Sequence, residues 1–114
     1  MIRLTSEMFV AAHIRRCESE GLAAVLVRHG APEAGAIYVI VDRLDGTLDL
    51  YGPAPQTAFD QDDNRPGRLF SLMDAGVSQQ QIDGRLEREA RFDPDFWVIA
   101  IEDRDGRSLL DLAA

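Results

Sequence analysis

The sequence predicts an α+β domain with a mostly antiparallel sheet and two helices, in the order α-β-β-β-β-α-β-β. Three observations carry this prediction. Two apolar runs flank Asp45-Gly46, which is a strong signal for a β-hairpin. Two other segments place apolar residues every three or four positions, as amphipathic helices do. The connections between strands are short, which favours antiparallel neighbours.

Length and composition limit the class of protein. At 114 residues with 46% hydrophobic residues, the chain fits a single domain, residues 1–114, with a buried core. The formal net charge of −8 argues against nucleic acid or an anionic membrane surface as a partner, because both attract basic proteins. All twelve basic residues are Arg, which codon bias in a GC-rich genome explains more simply than recognition of carboxylates or phosphates.

The cellular compartment follows from the cysteine count and the N-terminus. Cys17 is the only cysteine, so no disulfide can form within the chain, which fits a reducing cytoplasm. The apolar run Met8–Ile14 is too short for a signal peptide and is followed by arginines. No apolar run approaches the length needed to span a bilayer. We therefore expect a cytoplasmic protein.

The first helix is predicted to begin at Thr5 or Ser6, either of which can cap it, and to end near Gly21. Five residues share one stripe at helical spacing and should face the core: Phe9, Val10, His13, Ile14 and Cys17. Met8 and Ala12 form a smaller apolar patch on the opposite side. Such a patch is typical of a second contact, and a homodimer is one partner that we expect.

The first strands are a short segment, Leu22–Val27, and the two arms of the central hairpin, Gly35–Pro55. The first arm is apolar at every position from Ile37 until Asp42. Because successive side chains of a strand point to opposite faces, such an arm is expected inside the sheet and covered on both sides.

The register of this hairpin is open. A two-residue loop at Asp45-Gly46 sets Asp42 beside Asp49, whereas a three-residue loop with Gly46 as a bulge shifts every pair by one. The first register would create a carboxylate pair suited to acid–base chemistry. Solvated carboxylates near a turn are the simpler interpretation, since like charges directly opposite each other destabilise a sheet.

The second half of the chain is predicted to contain a loop, a strand, a helix and two strands. In order, these are Gln56–Gly67, Arg68–Met73, Ser78–Arg91, Phe96–Asp103 and Ser108–Leu112. The loop is acidic with one apolar anchor, so we expect it to be mobile. Ser78 and Gln81 form a capping box at the start of the helix. The strand from Phe96 is apolar on both faces and is expected near the centre of the sheet.

Two sets of residues resemble parts of metal or catalytic sites. His13 and Cys17 stand four apart on one helix face, a spacing that can hold a metal or pair a thiolate with an imidazole. Their stripe is apolar, so packing in the core is favoured. Asp60, Asp62 and Asn64 resemble the start of a calcium loop, but the later positions of that motif are missing. We expect no metal and no cofactor.

A binding surface is expected where the hairpin leaves the sheet. Tyr51 to Gln56 contains two prolines, which hold this exit rigid, and a rigid exit before a mobile loop is a common way to build a binding site. Arg68 and Trp97 begin strands that could border the exit, and aromatic and Arg side chains often anchor partners. The predicted binding residues are Tyr51, Gln56, Arg68 and Trp97. The alternative is that Tyr51 and Trp97 close the core.

Several stretches together resemble a family of bacterial proteins known as domain of unknown function 1491 (DUF1491). They are Arg3-Leu4-Thr5-Ser6-Glu7, Gly35-Ala36-Ile37, Leu44-Asp45-Gly46-Thr47, Tyr51-Gly52-Pro53-Ala54-Pro55-Gln56, Asp93-Pro94-Asp95-Phe96-Trp97 and Ile101-Glu102-Asp103-Arg104. The resemblance spans nearly the whole chain. It implies an alphaproteobacterial, cytoplasmic protein and brings no catalytic residues with it.

These observations favour one function class over another. We expect a small cytoplasmic binding or regulatory module that acts through protein–protein or small-ligand contacts. The alternative is an enzyme that uses Cys17 with His13, or Asp42 with Asp49.

Overall fold

The structure is a computed structural model that describes residues 4–55 and 68–113. Its elements are α1 (Ser6–Ser19), β1 (Ala23–Arg28), β2 (Ile37–Asp42), β3 (Leu48–Pro53), β4 (Phe70–Val77), α2 (Gln79–Phe92) and β5 (Trp97–Glu102). The predicted α+β class and the order of these elements are confirmed. The segment predicted as a last strand instead makes a single parallel bridge, between Leu112 and Phe70. The loop expected to be mobile, Gln56–Gly67, lies outside the described residues.

The sheet has five strands in the order β1-β5-β2-β3-β4. All neighbours are antiparallel except β2 and β5, which run parallel with Ile37 opposite Trp97 and Asp42 opposite Glu102. The parallel pair arises because α2 carries the chain from β4 back across the sheet to β5. Strands β2 and β5 therefore lie inside the sheet, as their two apolar faces predict.

A helix covers each face of the sheet, and each face has its own core. The core on the α1 side contains Val10, Cys17, Leu22, Ala24, Ile37, Val39, Val41, Tyr51, Phe70, Trp97, Ile99 and Ile101. The core on the α2 side contains Tyr38, Ile40, Leu48, Leu50, Ile82, Phe96 and Val98. Among the described residues, no helix has the length and apolar character needed to cross a membrane.

Local signals place both helix starts. Thr5 caps α1, and its Oγ1 accepts the N–H of Met8 at 3.2 Å. Ser78 caps α2 through the predicted box: its Oγ accepts the N–H of Gln81 at 3.2 Å, and Gln81 Oε1 accepts the N–H of Ser78 at 2.9 Å. These bonds satisfy amide groups that have no partner within the first turn of a helix.

The hairpin between β2 and β3 has the three-residue loop. The N–H of Arg43 donates to the carbonyl of Thr47 at 3.1 Å, and the left-handed φ values of Leu44 (62°) and Gly46 (91°) close the loop between them. Asp42 consequently lies opposite Leu48 rather than Asp49. Because residues opposite each other share a face, Asp42 and Asp49 point to different faces of the sheet. The two-residue register is wrong, and the carboxylate pair does not form.

Candidate functional site: the exposed edge strand

Cys17 and His13 are both part of the core rather than an open site. Cys17 is 0% exposed, and burial raises the pKa of its thiol. The Nε2–H of His13 donates to the carbonyl of Ser108 at 2.9 Å, and its ring stacks on that of Phe9 with centroids 5.5 Å apart. Burial is the main reason that the pKa of His13 is lowered. A buried thiol with a raised pKa is a poor nucleophile, so the spacing of these residues serves packing.

The acidic candidates are also held in structural contacts. Asp49 is 2% exposed, and its Oδ2 forms an ion pair with Arg43 Nη2 at 2.8 Å. Asp42 Oδ1 accepts the N–H of Leu44 at 2.8 Å and so helps to close the hairpin loop. Within residues 4–55 and 68–113, no group of three or more His, Cys, Asp or Glu side chains could hold a metal ion.

Of the four predicted binding residues, two are buried in the core, one is half-buried elsewhere, and one lies outside the described residues. Tyr51 and Trp97 are buried in the core on the α1 side, where the indole N–H of Trp97 donates to the carbonyl of Ala31 at 2.8 Å. Arg68 is half-buried, and its Nη2 donates to the carbonyl of Leu4 at 3.3 Å. Gln56 lies outside the described residues. The burial gives Tyr51 and Trp97 a packing role, and binding by these four residues stays a prediction.

The edge strand β1 shows a different surface, one that the sequence did not identify. This strand pairs with β5 on one side, and no other strand of the described chain pairs with it on the other side. Three consecutive apolar side chains are exposed on it: Val25 at 59%, Leu26 at 42% and Val27 at 59%. Exposed apolar side chains beside unpaired backbone groups are the features by which another strand is recognised.

The position of α2 explains why one face of this strand is uncovered. Residue pairs across β1 and β5 place Ala24 with Ile101 and Leu26 with Ile99, facing α1. Val25 lies opposite Ala100 and so faces the α2 side. Helix α2, however, packs on β3 and β4, at the other end of the sheet. Of the six residues of β1, only Ala24 is buried.

The end of β1 is fixed even though its side chains are exposed. The guanidinium of Arg28 lies 4.2 Å from the centre of the Phe96 ring, and its Nη2 donates to the carbonyl of Pro94 at 2.6 Å. The register of β1 against β5 shifts between Leu26 and Arg28, which makes Val27 an extra residue in the strand. The opposite edge is protected differently: Phe70 of β4 is bridged by Leu112.

A shallow cleft between the end of β4 and α2 is the second candidate. It is lined by Asp74, Val77, Gln80, Gln81, Gly84 and Arg88. Gly84 adds no side chain to it, and no atom lies within 4 Å of where its Cβ would stand. Asp74 and Arg88 place a carboxylate and a guanidinium in this lining, and the Asp74 carboxylate already pairs with Arg85 Nη1 at 3.4 Å.

Comparison with known proteins places the chain in a family. A family model described as "Protein of unknown function (DUF1491)" matches residues 4–111. A protein of A. tumefaciens with a known solution structure is 47% identical, with a TM-score of 0.83 over 97% of this chain and 95% of that one. A DUF1491 family protein from Caulobacter crescentus is similar in two structures. The crystal structure is 36% identical, with a TM-score of 0.76 over 99% of this chain and 100% of that one. The NMR structure is 35% identical, with a TM-score of 0.75 over 100% of both chains.

None of these relatives has a function in its description, and no curated protein matches the chain. The family match covers nearly the whole sequence, and the matched structures share its fold. The resemblance that the sequence showed is therefore confirmed: the chain belongs to the DUF1491 family.

Proposed function

We propose that this protein is a small cytoplasmic binding or regulatory module that acts through protein–protein contacts, and that the exposed edge of β1 is its contact surface. The observation that carries this proposal is the run of exposed apolar side chains at Val25, Leu26 and Val27 on an edge strand. Proteins normally protect such an edge with charges, prolines, bulges or a covering segment, and of these β1 carries the bulge at Val27. No charged residue interrupts this run, so the surface suits a partner strand.

The contacts of the enzyme candidates favour binding over catalysis. A nucleophile needs an accessible, activated group, yet Cys17 is fully buried with a raised pKa. A general base needs a free lone pair near a substrate, yet the Asp49 carboxylate is occupied by Arg43 and by the N–H of Gly76. These groups stabilise the fold through contacts that bury or occupy their reactive atoms.

A small-ligand contact is the second candidate, supported by the cleft at α2. Asp74 and Arg88 bring opposite charges to its lining, to which Gly84 adds no side chain. This arrangement fits a ligand that carries both charges, such as an amino acid or a short peptide. Binding of such ligands should be visible as chemical-shift changes confined to β4 and α2.

Site-specific photo-crosslinking in an alphaproteobacterial host tests the proposed surface. A photoreactive amino acid replaces Val25 in one strain and Leu72 in another, since Leu72 is an exposed leucine on the opposite edge strand, at 50%. We expect a crosslinked protein adduct at position 25 and little at position 72. Equal adducts at both positions, or none at position 25, would contradict the proposal. Fractionation of the same cells tests the cytoplasmic location.

A further inference from the structure

We propose that the segment Ser108–Ala113, here called the closing segment, acts as an intramolecular ligand. It fills a groove that also takes an extended apolar segment of another protein, and it detaches when that segment binds. The groove is formed by His13 and Arg16 of α1 and by Phe70 of β4, all of which contact the closing segment. It lies beside the opposite edge strand from β1, so this inference does not rest on the contact surface proposed there.

Helix α1 holds the closing segment by its backbone. The Nε2–H of His13 donates to the carbonyl of Ser108 at 2.9 Å. Arg16 Nη1 donates to the next carbonyl, that of Leu109, at 3.2 Å. Every extended segment carries such carbonyl groups, so these two donors suit the backbone of a foreign segment as well as that of the closing segment.

Strand β4 offers the groove a strand edge. The N–H of Phe70 donates to the carbonyl of Asp111, and the carbonyl of Phe70 accepts the N–H of Ala113, both at 2.9 Å. These bonds form the parallel bridge between Phe70 and Leu112. Domains that bind peptides by adding a strand to a sheet use the same backbone groups. The closing segment therefore occupies the groove as a bound peptide would.

The groove needs an apolar occupant because of what lies beneath it. Phe70 is 1% exposed, and its ring centroid lies 5.6 Å from that of Phe9. Helix α1 packs mainly on β1 and β5, and Leu109 and Leu110 complete this core. An empty groove would expose apolar surface to water, whereas exchange of one apolar segment for another keeps it covered. We therefore expect a partner segment with two adjacent apolar side chains.

The closing segment is held less firmly than the strands of the sheet. Leu109 has a φ of 60°, which is uncommon for a residue other than Gly. Asp111 is exposed, and Leu112 is 47% exposed. The segment forms a single bridge, whereas the inner strands form continuous ladders. Segments with few hydrogen bonds and exposed side chains open locally while the core stays folded.

Hydrogen exchange tests whether the closing segment opens by itself. The amides of Phe70 and Ala113 both donate in the bridge, so they should exchange together once corrected for intrinsic rates. Both should exchange at least about tenfold faster than the amide of Ile99, which lies in the inner strand β5. Exchange of Phe70 at the rate of Ile99 would overturn the inference, because the segment would then open only when the whole domain unfolds.

A substitution in the closing segment should change its opening alone. Leu110→Ala removes apolar contacts from the segment and should speed the exchange of Phe70 at least about tenfold, with Ile99 unchanged. Leu110→Val is the milder variant, for use if Leu110→Ala proves too unstable. The matched control is Leu26→Ala on β1, which should leave the exchange of Phe70 unchanged.

A peptide with the sequence of the closing segment tests the groove as a binding site. Fluorescence anisotropy measures the binding of labelled Arg-Ser-Leu-Leu-Asp-Leu-Ala, residues 107–113, to the full chain. The peptide can bind only molecules whose own segment is detached. Its apparent affinity should therefore rise in Leu110→Ala by the same factor as the exchange of Phe70. A peptide with the change Leu110→Asp should not bind.

Arg16→Met separates the groove from the closing segment. It removes the bond to the carbonyl of Leu109, so it should speed the exchange of Phe70 by about threefold to tenfold. The affinity for the peptide should stay about the same, because the peptide loses the same bond. Arg15→Met, at an exposed arginine of the same helix, should change neither quantity.

Three outcomes would overturn the inference. The first is no binding of the peptide to Leu110→Ala at about 1 mM. The second is equal affinity for the wild type and Leu110→Ala, since the peptide would then bind elsewhere. The third is a larger mass of Leu110→Ala in sedimentation than that of the wild type, which would make a second copy the occupant. None of them bears on the crosslinks at Val25, so the β1 surface has its own test.

Discussion

Arg43 and Asp49 form an ion pair that joins three strands of the sheet. Arg43 follows β2, and its Nη2 and Nε lie 2.8 Å and 2.9 Å from Oδ2 of Asp49 in β3. The other carboxylate oxygen accepts the N–H of Gly76 in β4 at 2.8 Å. The ladder between β3 and β4 is irregular at this point, because its register shifts between Leu48 and Leu50. The Asp49 side chain therefore takes the place of a regular backbone hydrogen bond between β3 and β4.

Removal of this carboxylate should destabilise the protein. Asp49→Ala leaves the N–H of Gly76 without its acceptor, and we expect a loss of about 2–3 kcal/mol in the free energy of unfolding. Asp49→Asn keeps an acceptor and should cost less, about 1–2 kcal/mol. Urea unfolding measures both. Arg43→Met should also destabilise, because it leaves a buried carboxylate without its cation, whereas Arg104→Met at an exposed site should not. Equal stability of all four variants would refute the role of the pair.

Acid should weaken the fold through His13. Burial lowers the pKa of this imidazole below its ordinary value of 6.5, and Arg16 lowers it further, while Ser108 and Asp111 oppose the shift. The unfolded chain therefore binds a proton at a higher pH than the folded chain does. The contribution of neutral His13 to the free energy of unfolding is fully present above about pH 6.5. It is lost as the pH falls from there towards the folded pKa.

Urea unfolding at pH 7.5 and pH 5.5, both about one unit from the ordinary pKa, measures this dependence. His13→Phe should remove that part of the dependence, whatever it does to absolute stability. His29→Gln is the matched control at an exposed histidine and should keep it. The lowered pKa of Asp103 acts at more acid pH, below 3.8, and stays outside this window. An unchanged slope in His13→Phe would contradict the assignment.

Cys17 should behave as a structural thiol. It is fully buried on the apolar face of α1, so Cys17→Ser places a hydroxyl among apolar side chains. We expect a cost of about 1–3 kcal/mol. A thiol reagent at neutral pH should modify the native protein far more slowly than the unfolded chain. Fast modification without unfolding would show that the site is open.

Gly84 in α2 offers a stabilising substitution. A helix interior prefers Ala over Gly by about 0.5–1 kcal/mol, and no atom lies within 4 Å of the added Cβ. Gly84→Ala should therefore raise the free energy of unfolding by about that amount. Gly52→Ala is the contrasting variant, since its Cβ would overlap the Met73 sulfur and stand 2.9 Å from the Tyr38 ring. It should destabilise, and the opposite ranking of the two would count against this packing.

Local signals in the sequence were sufficient for the two helices and the five strands, but not for the segment predicted as a last strand or for the arrangement of the sheet. The capping box of Ser78 and Gln81 predicted the start of α2, because both partners lie within one turn. The register of the hairpin could not be predicted, because it depends on Leu44 accepting a positive φ, which is uncommon for a residue other than Gly. The placement of β5 beside β2 depends on contacts across the whole chain, which no local pattern encodes.

The same limit applies to the candidate sites. Tyr51 and Trp97 have the chemistry of binding residues, but aromatic side chains serve cores equally well, and only the fold shows that both are buried. The run from Val25 to Val27 has the composition of a buried strand. The exposure of Val25 follows from the position of α2 over the far end of the sheet, which no local pattern in the sequence indicates.

The position of β5 in the middle of the sheet has a consequence for how the chain is made. The meander β2-β3-β4 can pair as it leaves the ribosome, since its neighbours are adjacent in sequence. The first strand, β1, must wait for the last, because β5 lies between β1 and β2. Such distant pairing slows folding and leaves an apolar strand unpaired during synthesis. A chain that stops before Trp97 would lack the strand that joins the two parts of its sheet, and β1 would have nothing to pair with except another chain.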